Sequence, residues 1–431
     1  MSTLFYNADV ITMDDARPLI HGCVAVENGR IAYVGEAEPG GAFERRIDCS
    51  GRILMPGLVN AHAHIGMTLM RGVADDHPLN VWLFDKIFPM EARIDEPMLK
   101  AGAGLGFLEL LRFGVTSVSD MYFFEPAVAK LALDAGIRAS LCNAIVAFDE
   151  DYDPKKDRAI SELETLIRDF HGAGEGRIRA DVSVHSEYIT TPKARAIAAE
   201  YKDRYGLCVQ LHLSETGKEH DECVARHGKT PAAVLSECGL LGRGTTAAHC
   251  VWATDEDMEL MAGSGASAAH CPTSNMKLAS GMADVHRMQK YGVNVCLGTD
   301  GCASNNTHDM FKEIKLAALM AKCISDDPSV LPAYEALKLA TVNGARAQGR
   351  PDIGRIAEGM QADIILLDTD TPSMQPVSDP ISAVVYAATG ERVCLTMVQG
   401  RILYENGEYA TLDKDRIIYE ARAAQDRLLG R

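Results

Sequence analysis

Apolar positions follow two rhythms along the chain. Near the N-terminus, TLFYNADVITM and CVAVENGRIAYVG are short apolar runs around an Asn28-Gly29 pair. That spacing predicts strands joined by a tight hairpin turn. A second block of the same kind comes late, with ADIILLD (362–368) followed by VCLTMVQGRILYENGEY, again carrying Asn-Gly. The two strand-rich ends are expected to pair in space as one small β-sandwich domain, split in sequence by everything between. From Leu58 to about residue 350 the pattern changes. Eight short runs (LVNAH, VTSVSD, IRASLCN, RADVSVH, LCVQLH, TTAAH, ASAAH and VNVCLGTD) alternate with amphipathic stretches such as ISELETLIRDF. Runs rich in Val, Ile, Leu and Ala between helices predict a parallel sheet of α/β type. Eight such units over roughly 300 residues suit a closed (β/α)8 TIM-type barrel better than an open doubly wound sheet. No G-x-G-x-x-G follows the first run, which weakens a dinucleotide-binding reading. DKDRIIYEARAAQDRLL (413–429) reads as a terminal amphipathic helix. The expected organisation is a first β-sandwich segment over 1–56, the barrel over 57–355, a second sandwich segment over 356–412 and the helix over 413–431.

Composition narrows the class. The chain has 431 residues, 47% hydrophobic and 24% charged, enough to bury a large core without disulfide or metal staples. A net charge of −17 repels phosphate backbones and anionic lipid, so neither nucleic acid nor a membrane surface is expected as a partner. No apolar run is long enough to span a bilayer, and MSTLFYNADVITMDD lacks a basic n-region. The twelve cysteines are scattered singly from Cys23 to Cys394 without a CxxC pair. They read as small buried hydrophobes in a reducing, cytoplasmic protein.

Chemistry gathers where the eight runs end. Their C-terminal residues include His62 and His64, Asp120, Asn143, His185, His212, His249, His270 and Asp300, and a barrel draws its catalytic groups from that rim. A single His at a strand end is usually a hydrogen-bonded core residue; so many converging on one rim point to a metal centre. His62 and His64, two apart on a strand, lean to one face and can share an ion. With His212 and Asp300 they form a set suited to one divalent metal, Zn²⁺ first and Fe²⁺ or Mn²⁺ as alternatives. Such an ion lowers the pKa of a water ligand to about 7. Glu215, three residues past His212, is placed to carry protons, and His249 to orient the nucleophile. The bland alternative makes Ser214 a helix N-cap with Glu215 in the first turn.

MPGLVNAHAH, VHSEY, QLHLSET, TAAHC, CPTSNMKLASG and LGTDGCASNN resemble the amidohydrolase superfamily. Within it they are most similar to the methylthioadenosine/S-adenosylhomocysteine deaminases and their chlorohydrolase relatives. The resemblance runs over nearly the whole chain. It implies one metal on His62, His64, His212 and Asp300, with Glu215 as proton shuttle and His249 beside the nucleophile. Binuclear members carry a lysine at the end of the fourth strand; here His185 stands there and the next lysine is Lys193, so the site reads as mononuclear. The resemblance further implies a lid over residues 71–94, with Trp82 and Phe84 covering the adenosine. Glu91 would hold the ribose hydroxyls, and His185 would lie near the purine. Arg158 matches an arginine that serves the sulfur-side substituent. A second arginine of the pattern is replaced by Asn143, and losing a bidentate carboxylate clamp is worth more than about 1.5 kcal/mol, which weighs against S-adenosylhomocysteine.

The activity expected is deamination of an adenine nucleoside, with Glu215, His249 and Asp300 as catalytic groups. Two alternatives stand beside it. One is a deaminase or chlorohydrolase acting on another heterocycle, such as guanine, a pterin or a triazine. The other is a barrel that has lost its chemistry. Relatives of this kind are often homo-oligomers.

Overall fold

The computed structural model describes residues 2–431. Five strands open the chain: Ser2–Ile11 (β1), Leu19–Glu27 (β2), Arg30–Gly35 (β3), Arg45–Asp48 (β4) and Arg52–Pro56 (β5). Ten strands follow, most of them separated by helices: Leu58–His64 (β6), Val115–Met121 (β7), Arg138–Cys142 (β8), Ile178–Ala180 (β9), Val182–Ser183 (β10), Val209–Leu213 (β11), Thr245–His249 (β12), Ser267–His270 (β13), Asn294–Leu297 (β14) and Asp300–Gly301 (β15). Ile364–Asp368 (β16), Val393–Val398 (β17), Arg401–Glu405 (β18) and Glu408–Tyr409 (β19) complete the set.

The two chain ends meet in one sheet. Strands β1–β5 and β16–β19 hydrogen-bond into one nine-stranded sheet, joined where β5 runs antiparallel to β16 with Leu54 opposite Leu366. Phe5, Val24, Leu54, Leu366 and Met397 are buried together in its core. The Asn28-Gly29 turn between β2 and β3 has φ of +51° and +80°, the left-handed pair that a type I′ hairpin needs.

All eight middle runs form strands, in two parallel sheets of order β15-β6-β7-β8-β9 and β10-β11-β12-β13-β14. Two runs break in the middle: RADVSVH into β9 and β10 at Asp181, and VNVCLGTD into β14 and β15 at Gly298-Thr299. Glycine at the second break has a steric reason. A Cβ at Gly298 would lie 2.7 Å from both Cβ and the carbonyl oxygen of His62, so only glycine lets this run pass the first strand. Register then sets Asp300 beside Ala63, between the two histidines of β6.

Residues 414–429 form the expected terminal helix, with Asp413 accepting from Arg416 N as its cap. Ile417, Ala421, Ala424 and Leu428 make its buried stripe, and the helix packs on Glu96–Arg112. A buried ion pair ties a middle strand to the nine-stranded sheet: Arg138 on β8 donates from Nε to Asp363 Oδ2 at 2.6 Å and from a terminal nitrogen to Oδ1 at 2.9 Å. Among the described residues, no helix is long and apolar enough to cross a membrane.

Candidate active site

Parallel register sets the ends of β6 and β15 side by side in one sheet and those of β11 and β12 side by side in the other, and the histidine rings of the two sheets meet. His62 is the hub: its ring centroid lies 4.9 Å from His64, 5.0 Å from His212 and 5.7 Å from His249. Potential ligand atoms of His62, His64 and Asp300 lie within 4.8 Å of one another, as do those of His62, His212 and His249. Backbone strain marks the same places. His249 and Asp300 hold φ of +73° and +61°, and Ser214, next to Glu215, holds +46°. Such conformations persist in non-glycine residues only where the surroundings enforce them.

The donor chemistry fits a divalent cation. His64 Nδ1 faces the carbonyl oxygen of Met121 and His212 Nδ1 faces that of His185 at 2.9 Å. A carbonyl only accepts, so each ring carries its proton on Nδ1 and turns a lone pair on Nε2 inward. His64 Nε2 then lies 3.2 Å from Asp300 Oδ1, and His62 Nε2 is buried with no hydrogen-bond partner. Inward lone pairs against a carboxylate repel unless a proton or a cation lies between them. Asp300 is held firmly: Ser274 and Ser304 donate to Oδ2 at 2.6 and 2.9 Å, and Gly301 N to Oδ1 at 2.8 Å. Burial works to raise its carboxyl, but a His64 ring protonated on Nε2 as well outweighs this and holds it well below the carboxylate range.

Glu215 stands across this cluster, buried, with Oε2 3.7 Å from His249 Nε2 and Oε1 3.5 Å from Ser280 Oγ. Burial raises its proton affinity, offset in part by His249. His249 is oriented from behind by Asn275, whose Oδ1 lies 2.8 Å from Nδ1. Thr216, not Ser214, caps the following helix, Gly217–His227. Glu215 thus precedes the helix and owes its burial to no first-turn role.

A cavity of about 130 Å³ opens on these groups and is also lined by Trp82, Glu91, Asn143 and His185. Its own wall brings in Phe88 and Tyr122. Glu91 is half-buried and accepts the Tyr122 hydroxyl on Oε1 at 2.7 Å, with desolvation raising its pKa against that bond. The His185 ring lies 4.3 Å from that of His212, and burial with its histidine neighbours pushes its pKa down to about 3, so the imidazole is neutral. Two of the expected contacts are placed elsewhere. Phe84 is exposed, packs edge-on against Phe88 and faces a second cavity. Arg158 is outside the cavity wall, its side chain 53% exposed. It lies over the rings of Phe123 and Phe124, with Nε 3.4 Å from Glu162. Asn143 lines the cavity but gives its amide to Glu162 at 3.0 Å. Lys193 is exposed and donates to the Tyr152 carbonyl.

Sequence reading missed Tyr122, Ser274, Asn275 and Ser280. The last three lie in CPTSNMKLASG, whose polar residues just after a histidine-ended strand were the available signal. Tyr122 follows β7 directly, at the same rim.

The amidohydrolase family profile matches residues 53–403, and the chain belongs to that family. It is 42% identical over 416 residues to a 5'-deoxyadenosine deaminase of Methanothermobacter thermautotrophicus, covering 96% of this chain and 97% of that one. It is also 42% identical over 400 residues to a 5-methylthioadenosine/S-adenosylhomocysteine deaminase of Moorella thermoacetica, with 92% of each covered. Among solved structures, an adenosine deaminase from Xanthomonas campestris with bound zinc superposes with a TM-score of 0.95 at 34% identity, covering 100% of this chain and 99% of that one.

Proposed function

We propose that this chain is a zinc-dependent hydrolytic deaminase that converts an adenine nucleoside to its inosine analogue and ammonia. In this reading the two parallel sheets close into one (β/α)8 barrel, and the nine-stranded sheet folds over as a sandwich beside it. His62, His64, His212 and Asp300 would hold the metal. When bound, the ion supplies Lewis acidity that makes water a nucleophile near neutral pH.

The protein's own groups do the rest. Glu215 protonates the ring nitrogen beside the amino-bearing carbon, which becomes electrophilic. Water adds to that carbon, its proton passing to Glu215. Glu215 then hands the proton to the amine; as the C–N bond breaks and ammonia leaves, the added oxygen becomes the carbonyl and its remaining proton returns to Glu215. A buried carboxyl with raised proton affinity is suited to both transfers. Asn275 keeps the His249 ring in one tautomer, with Nε2 toward Glu215. Trp82 covers the purine, neutral His185 lies beside it, and Glu91 accepts from the ribose hydroxyls through the oxygen that Tyr122 leaves free. The observation that carries the proposal is the pairing, in one cavity, of buried Glu215 near the histidine cluster with a second, half-buried carboxylate, Glu91. A free base would have no use for the second.

With Asn143 and Arg158 both engaged by Glu162, small 5'-substituents are favoured over the carboxylate tail of S-adenosylhomocysteine. The setting proposed is a cytoplasmic enzyme of small-molecule metabolism. The test is loss of adenine ultraviolet absorbance with zinc-loaded protein on adenosine, methylthioadenosine, 5'-deoxyadenosine and S-adenosylhomocysteine. Turnover of the first three, with the last slow, is expected. Silence on all four with zinc bound would refute the nucleoside reading and turn attention to free bases, pterins and chlorinated heterocycles.

A further inference from the structure

Glu219 lies four residues beyond Glu215, in the first turn of Gly217–His227, and has no part in the roles above. Its side chain is buried, and each carboxylate oxygen takes one backbone N–H. Ser214 N donates to Oε1 at 3.0 Å and Glu215 N to Oε2 at 2.8 Å. These two N–H groups belong to the turn that leaves β11, where Ser214 is held at φ +46°. A serine stays in that region only under constraint. Thr216 already serves as the helix cap, its Oγ1 accepting Glu219 N at 3.2 Å, so the carboxylate is free to reach back across the turn. Burial, with Glu215 alongside, pushes the Glu219 carboxyl up to about 7. A charge so placed is a structural expense that the two bonds must justify.

We propose that Glu219 is a positioning residue for the proton carrier: its carboxylate bridges Ser214 N and Glu215 N, locks the left-handed turn, and thereby aims the Glu215 side chain. Ser280 steadies the other end. Its Oγ lies 3.5 Å from Glu215 Oε1, its carbonyl accepts Trp252 Nε1 at 2.8 Å, and its N–H bonds Asn275 O at 2.9 Å. The inference rests on the proton-carrying role of Glu215 given above.

The test compares zinc-loaded wild type with Glu219→Gln, which keeps the volume but sets an NH2 against one of the two N–H donors. Thr230→Ala is the control. It removes the cap of the neighbouring helix Pro231–Glu237 without touching the site. Hydrogen exchange of a peptide spanning 213–220 reads the turn directly, and kcat, KM and zinc content read its consequence. Expected for Glu219→Gln are exchange at least about tenfold faster, kcat down at least about tenfold, and KM and zinc content within about twofold of wild type. Thr230→Ala should lower thermal stability and leave kcat and the peptide's exchange unchanged. Unaltered exchange in Glu219→Gln overturns the proposal, as does faster exchange with normal kcat, loss of zinc, or an equal kcat loss in Thr230→Ala. If wild type ignores adenine nucleosides, kcat is compared on whichever heterocycle it does turn over, so failure of the nucleoside reading leaves this test standing.

Discussion

Replacing Asp363 with Asn removes one charge from a buried pair and leaves the other behind. The Arg138 and Asp363 side chains are 4% and 1% exposed. Asn keeps an acceptor for Gln399 N, which bonds Oδ1 at 2.9 Å, but it turns an NH2 toward Arg138 Nε–H where Oδ2 accepted. Other cations stand close: burial, with Arg179 and Arg138 alongside, pushes Arg350 down to about 9. Without Asp363 the guanidinium groups lose a balancing charge in a region water cannot reach. Breaking such a pair from one side costs about 3–5 kcal/mol. Unfolding entropy near 2.1 cal/mol/K per residue is about 0.9 kcal/mol/K for this chain, so Tm should fall by roughly 3–6 °C. Differential scanning calorimetry reads the shift. Steady-state turnover at 25 °C should be unchanged, because neither residue lines the reaction cavity. The double variant Arg138→Met/Asp363→Leu should recover most of the loss, since it buries no unpaired charge. A single variant melting within about 1 °C of wild type, or a double variant as labile as the single, would refute this account of the pair.

Glu215→Gln should retain zinc and KM while kcat drops about 10²–10⁴-fold, the range for losing a general acid–base group; near-normal kcat removes Glu215 from the mechanism. His212→Ala should lose zinc in a chelator competition, and full occupancy would take His212 out of the ligand set. Trp82→Ala should raise KM about tenfold and Phe84→Ala should not, because only Trp82 lines the reaction cavity; equal effects would reverse that assignment. For Glu109, burial works to raise the carboxyl, but Arg71 and His308 outweigh it and hold it at about 2. A depressed carboxylate stabilises the fold fully above its unfolded pKa of about 4.5 and loses that contribution as pH falls toward 2, about 3 kcal/mol in all. Urea titrations should therefore show Glu109→Gln with a flatter stability curve between about pH 4.5 and 2; an unchanged acid limb contradicts the assignment.

Much of this was legible in the chain because periodicity and turn chemistry are local. Alternation around Asn28-Gly29 sets a hairpin whatever lies beyond it, and eight Val/Ile/Ala runs between amphipathic stretches form parallel strands. His62, His64, His212, His249 and Asp300 could be named because each lies at the end of a run, and parallel strands carry such ends to the same end of their sheet. Spacing along the chain does not say which way a long side chain turns once it leaves that rim. Trp82 and Phe84 are two residues apart in one helical segment and had the same expectation; Trp82 lines the cavity, while Phe84 stands exposed, edge-on to Phe88. Arg158 and Asn143 were both free to face a ligand until Glu162 engaged them. The grip of Glu219 on Ser214 and Glu215, and of Asn275 on His249, depends on distances of a few tenths of an ångström. The sequence by itself determined most of the elements, the chemical inventory and the strand ends that carry it, because these follow from backbone periodicity and side-chain type. Only the tertiary structure decided which donor meets which acceptor, because a hydrogen bond or ion pair forms between groups close in space, and burial then sets what each partnership is worth.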